Sequence, residues 1–201
     1  MGSNDVGHDQ FSQGMSNTHP WQTRDRILQL QTRWFTLIGE HLETTPGTVL
    51  EYWRIEKVDS VIVLPIWRQQ LILPVATYRP GVGKSTLDFP GGRCPEDQRP
   101  AQAAISILQR ELGVVENAID HLVPLNSAGW AVNSSFSNQR LYGFVAHLQS
   151  ASDIPEAGIE TTYPADSQGI RSLLQVLECL QCRLVLREWQ ARYLEKEPSV
   201  D

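Results

Sequence analysis

The chain has 201 residues, 41% of them hydrophobic and 20% charged, with a formal net charge of −6 and a pI near 5.4. That length fits one domain with a sizeable core and an appendage, and the acidic balance speaks against a surface built for nucleic acid or anionic lipid. The longest apolar run, Val61 to Ile66, is far short of the ~20 residues that span a bilayer, and three cysteines make no disulfide framework, so a cytoplasmic protein is expected. The opening residues show no secretory pattern, and Val6 stands where a myristoylation signal wants Ser or Thr.

Residues 1–22 are mostly Gly, Ser, Asn, Asp and Gln. They are expected to form a polar tail, because such a segment buries too little surface to offset its ordering entropy. Residues 23–58 read as a helix and hairpin extension, with strand-like Trp34–Ile38 and Val49–Ile55 flanking the turn signal Pro46-Gly47. The main domain is expected over 59–197, with 198–201 as a second tail. It opens with a buried strand, Ser60–Ile66, a turn through Trp67–Gln70, and a second strand, Leu71–Ala76. Leu87–Pro90 is predicted to be a short strand between glycine-rich bends. Pro100 is placed to start a helix whose apolar stripe is Ala103, Ala104, Ile107, Leu108 and Leu112, and Gly113 ends it. Another strand is predicted at Leu141–Ala146, and helical periodicity at Ile170, Leu173, Leu174 and Leu177 runs through Ser167–Lys196. This order of elements describes an α/β sandwich.

Gly83-Lys84-Ser85 invites a phosphate-loop reading, but that motif needs another glycine where Tyr78 stands. A bend between strands is the better account. Cys179 and Cys182 form a C-x-x-C without a second pair to complete a zinc site, so they are expected to be core thiols. Cys94, in a loop, is expected to be more exposed.

Leu87-Asp88-Phe89-Pro90-Gly91-Gly92, Pro100, Ala103-Ala104 and Glu111-Leu112-Gly113-Val114 together resemble the Nudix box. Asp59–Ile66, Tyr78–Gly83 and the hairpin carrying Glu51-Tyr52-Trp53 are similar to the ADP-ribose pyrophosphatase branch of that family, and the likeness covers roughly Trp34 to Leu148. It implies an α/β/α sandwich with a mixed sheet, an N-terminal β-hairpin extension, C-terminal helices and a homodimer. The implied ligand is a nucleoside diphosphate-linked compound. The implied cofactor is Mg²⁺, held by carboxylates three and four residues apart on one helix face, where it neutralises the diphosphate and helps generate a hydroxide.

Laid on the box, the chain departs at nearly every acidic position. Gln98 replaces the first glutamate, Ser106 the arginine, Ile107 the next glutamate, and Arg110 the first of the closing pair, while Glu111 and Gly113-Val114 are retained. Downstream, Asn138 and Gln139 stand where a family loop ends in Asp-Glu. A dication ~5 Å from the Arg110 guanidinium would be repelled by roughly 6–7 kcal/mol at an effective dielectric near 20.

Three functional readings follow. In the first, a cleft lined by Arg79, Arg93 and Arg110, with Gly91, Gly92, Gln98 and Gln139 around it, binds the diphosphate compound while hydrolysis is weak or lost. In the second, Glu111 joins Glu96, Asp97 or Glu116 in a rearranged metal site and hydrolysis survives. In the third, Ile107 fills a closed apolar cleft and the protein is an interaction scaffold. Trp53 is a candidate to stack on a nucleobase, with packing as its alternative.

Overall fold

The computed structural model describes residues 21–149 and 158–194. The expected tails at 1–22 and 198–201 fall outside that range, except for Trp21 and for Gln22, which is the first residue of the first strand. The elements in order are β1 (Gln22–Gln31), β2 (Thr36–Thr45), β3 (Thr48–Glu56), β4 (Asp59–Trp67), β5 (Gln70–Pro74), β6 (Thr77–Arg79), β7 (Lys84–Thr86), β8 (Gly91–Cys94), α1 (Pro100–Leu112), β9 (Ile119–Pro124), β10 (Trp130–Ala131), β11 (Arg140–Leu148), β12 (Ile159–Pro164), α2 (Ser167–Val176) and α3 (Leu180–Tyr193).

The period-two alternation of β4 sets the layers. Ile62, Leu64 and Ile66 join Leu71 and Leu73 of β5 and pack under α2 and α3, through Ile170, Leu173, Leu174, Val185, Leu186 and Trp189. Val61 and Val63 point the other way, onto Ala103, Ala104, Ile107, Leu108 and Leu112 of α1. The seven-stranded sheet between them runs β10-β11-β4-β5-β12, with β8 on β4 and β9 on β11. Among the described residues, β11 with β4 is the one parallel pair of this sheet, so the sheet is mixed. This is the α/β/α sandwich that the sequence predicts.

Helix α1 forms for local reasons. Pro100 sits at its first turn, where a missing N–H costs nothing. Gly113 ends it in the left-handed region at φ 67°. Its N–H donates to the Gln109 carbonyl (3.0 Å) and that of Val114 to Leu108 (3.3 Å), which satisfies the last helical acceptors.

Several expectations need correction. Residues 23–58 contain no helix: β1, β2 and β3 form a separate antiparallel sheet. Trp34 and Phe35 precede β2, because the Thr32 hydroxyl accepts the N–H groups of Trp34 (3.1 Å) and Phe35 (3.0 Å) and folds Thr32–Phe35 into a turn. The short strand lies on Gly91–Cys94 rather than Leu87–Pro90, since it is Gly91 and Gly92 that register against Ile62 and Val61. Cys94 is buried, not exposed. Burial, and then the Asp59 charge, push its thiol up from the usual range. The C-terminal helices form as expected, as α2 and α3. Arg183 Nη1 donates to the Leu174 (2.5 Å) and Leu177 (2.8 Å) carbonyls, which closes α2 before α3 begins.

Candidate functional site

The candidate residues Gly91, Gly92, Ile107, Arg110 and Glu111 come together where β8 meets α1. A Cβ on Gly92 would stand 2.9 Å from Arg110 Nη2 and 3.2 Å from Ile107 Cγ1, so glycine is what lets the helix approach the strand this closely. Ile107 is 1% exposed and forms the floor of that contact. It fills space instead of supplying a ligand.

Glu111 is committed to the protein on both oxygens. Oε2 accepts the Gly91 N–H (3.2 Å) and Oε1 accepts Arg110 Nη2 (2.7 Å). The same Nη2 also donates to the Gly91 carbonyl (3.0 Å). Arg110 therefore places a positive charge against the Glu111 carboxylate. Its side chain is still 58% exposed, and its bonds to Glu111 and Gly91 both run through Nη2.

Arg110 opens onto a depression of ≈ 590 Å³ lined by Val58, Gly92, Arg93, Pro95 and Arg110, within the span of small-molecule sites (about 300–1,000 Å³). Arg93 stands at its rim with its guanidinium carbon 4.2 Å from the Trp34 ring centroid, a cation–π distance. Arg33 lies on the same ring at 5.2 Å. Trp34 is 55% exposed. Nothing in its sequence surroundings marks it out, because the contact is made across two sheets and depends on the Thr32 turn.

Arg79 does not join this pair. It lines a neighbouring cleft of ≈ 310 Å³ with Thr86, Asp88, Phe89 and Glu111, and its Nε donates to Asp88 Oδ2 (2.9 Å). Glu111 thus lines the Arg79 cleft while pairing with Arg110, which lines the other depression.

The remaining candidates serve the scaffold or stand apart. Gln98 donates to Ser106 (3.4 Å) and shares a third depression with Glu96, Asn138 and Tyr142. Gln139 is buried and donates to the Val58 carbonyl (3.2 Å), and Asn138 accepts the Lys57 N–H (2.9 Å). The loop is thereby stitched to the chain leaving β3, and at Gln139 the bond needs an amide donor that a carboxylate lacks. Trp53 donates Nε1 to Glu51 (2.7 Å) and covers Gly39, whose Cβ would meet its ring at 2.6 Å. It is absent from the lining of the Arg93–Arg110 depression. Asp97 lies in the turn before α1, and Glu116 opens a short helical turn beyond its far end.

A Mg²⁺ cluster where β8 meets α1 needs several free oxygens at octahedral spacing; among the described residues Glu111 is the carboxylate there, with both oxygens already accepting hydrogen bonds, so these side chains do not fit one. Among the described residues, the one group of three convergent acid, thiol or imidazole donors is Asp88, Cys179 and Cys182, which includes neither Glu111 nor Glu96, Asp97 or Glu116. In that group Cys179 is brought down to about 6, first by the hydrogen bond from the Cys182 thiol, with burial opposing. Cys182 is pushed up by the same bond, by burial and by the charges of Cys179 and Asp88.

No protein-family model matches the chain, and no curated protein matches it in sequence. A crystal structure of an ADP compounds hydrolase superposes with a TM-score of 0.62 at 19% identity, covering 86% of this chain and 95% of that one. The likeness establishes the fold, a mixed α/β sandwich with C-terminal helices. No helix among the described residues is long and apolar enough to cross a membrane.

Proposed function

We propose that the chain binds a nucleoside diphosphate-linked compound, such as ADP-ribose, on the face formed by Gly92, Arg93, Arg110 and Trp34, and that it does so without metal-dependent hydrolysis. The observation that carries this reading is the Arg110–Glu111 pair at 2.7 Å: a guanidinium supplies the positive charge that a dication supplies when carboxylates line such a face. Guanidinium forks pair bidentately with phosphate oxygens and need no metal. Arg110, oriented by Glu111 and the Gly91 carbonyl, would take one phosphate, and Arg93 the other. Trp34 offers an aromatic face beside them for the base. The structural likeness to an ADP compounds hydrolase supports the ligand class.

The N-terminal sheet is proposed as a homodimer interface. All ten residues of β1 are exposed, and Ile27, Leu28, Leu30, Val49 and Leu50 leave apolar surface on its sheet uncovered.

The test is a calorimetric titration of the purified protein with ADP-ribose in chelator, beside a hydrolysis assay with Mg²⁺ or Mn²⁺. Binding without metal and no turnover are expected. Metal-dependent turnover that Glu111→Gln abolishes would overturn the reading.

A further inference from the structure

Behind the Arg79 cleft, three donors from distant parts of the chain converge. Asp88 comes from the loop after β7, Cys179 caps the start of α3, and Cys182 lies in its first turn. A carboxylate oxygen and the two sulfurs all lie within 4.8 Å of one another. Cys182 is buried and Cys179 half-buried.

The carboxylate is unevenly used. Asp88 Oδ2 accepts from Arg79 Nε and Thr86 Oγ1, both at 2.9 Å, while Oδ1 is buried with no hydrogen-bond partner. An unsatisfied buried acceptor costs about 1–3 kcal/mol, so Oδ1 marks a place where something positive belongs. The sulfurs are prepared in a similar way. Backbone N–H groups of Gln181 and Cys182 approach Cys179, and that of Phe89 approaches Cys182.

We propose that Asp88, Cys179 and Cys182 form a Zn²⁺ site, with two thiolates, one carboxylate oxygen and a fourth position for water or an external ligand. Zn²⁺ takes sulfur and oxygen together in a tetrahedron, with Zn–S near 2.3 Å and Zn–O about 2.0–2.2 Å. Those lengths place the donors roughly 3.6–3.8 Å apart, a contraction that rotation of the side chains supplies. Mg²⁺ and Ca²⁺ want oxygen alone. Arg79 and Thr86 already do what outer partners of a metal carboxylate do: they occupy one oxygen and leave the other unpartnered. A disulfide between the two cysteines would use the sulfurs but leave Oδ1 as unpartnered as before. The site is independent of the diphosphate face, since neither Arg93 nor Arg110 belongs to it.

The experiment is a titration of the reduced full-length protein with Co²⁺, then displacement by Zn²⁺ in competition with a chromophoric chelator. One equivalent should bind, with an intense near-ultraviolet thiolate-to-cobalt band that Zn²⁺ abolishes. Cys179→Ser and Cys182→Ser should each lose the band, whereas Cys94→Ser should keep it. Asp88→Asn should weaken Zn²⁺ binding by more than about 10-fold, because even the residues behind a ligand are worth roughly 10- to 100-fold. Cys179 is half-buried, so its serine variant keeps the test sound if Cys182→Ser fails to fold. Absence of the band, equal affinity in the Cys179→Ser protein, or conversion of the thiols to a disulfide with no metal bound would each overturn the proposal.

Discussion

Replacing Arg110 by glutamate separates a binding role from a merely structural one. Arg110 Nη2 lies 2.7 Å from Glu111 Oε1, with side chains 58% and 27% exposed. Exposed ion pairs of this kind contribute about 0.2–1 kcal/mol to stability, because water screens them and ordering the side chains costs entropy. The unfolding midpoint of Arg110→Glu should therefore move little. Binding should respond differently. Loss of the guanidinium removes charge-assisted hydrogen bonds worth about 1.5–3 kcal/mol. A new carboxylate ~4 Å from a phosphate adds about 1 kcal/mol of repulsion even in bulk water. Together these predict a loss of ADP-ribose affinity on the order of 10²- to 10³-fold. Calorimetry in chelator, with urea unfolding as the control, reads both quantities. An unchanged affinity in Arg110→Glu would show that the guanidinium merely neutralises Glu111 and faces no ligand.

Four further outcomes are expected. Gly169→Ala puts a Cβ 2.0 Å from the Pro164 carbonyl oxygen, where no side chain can yield, so urea unfolding should show a loss at or above the top of the ~1–3 kcal/mol range for overpacking; a neutral effect would mean that α2 is not held this tightly against β12. Glu40 is 2% exposed, and Arg54 Nε is 2.7 Å from its carboxylate. Arg54→Leu should cost about 3 kcal/mol, the low end for a broken buried pair, because Arg26 still faces Glu40 at 3.9 Å; Glu40→Met combined with Arg54→Leu should recover most of that, and no recovery would refute the pairing argument. His147, opposite His121 in the β9–β11 register, is held below 6.5 by burial first and the His121 charge second, with Asp120 opposing. The unfolded chain takes up this proton before the folded one, so its contribution is complete above about 6.5 and is lost as pH falls through the folded value. His147→Gln should flatten that part of the stability–pH curve, and an unchanged slope would assign it to another group. Light scattering should give twice the chain mass of 22.6 kDa, with Leu28→Lys plus Leu30→Lys returning the single-chain value; a monomeric wild type would remove β1 from any interface.

What the sequence determined was whatever depends on neighbours along the chain. Pro100, the stripe from Ala103 to Leu112 and Gly113 define α1 within one short window, and that helix forms as read. The alternation in Ser60–Ile66 decides which side chains face each helix layer before any partner is known. The residues Gln98, Ser106, Ile107 and Arg110, none of them acidic, are likewise read directly from the chain. Tertiary structure decided the rest, because those features arise between residues that only the sheet register brings together. Pairing of Gly91–Cys94 with β4 moved the short strand off Leu87–Pro90 and buried Cys94. The hydroxyl-capped turn at Thr32 carried Trp34 to Arg93, while Trp53, the aromatic singled out by its motif, packed over Gly39. Asp88 reached Cys179 and Cys182 in the same way. A C-x-x-C short of ligands in sequence gains its third donor only once the loop after β7 folds against the start of α3.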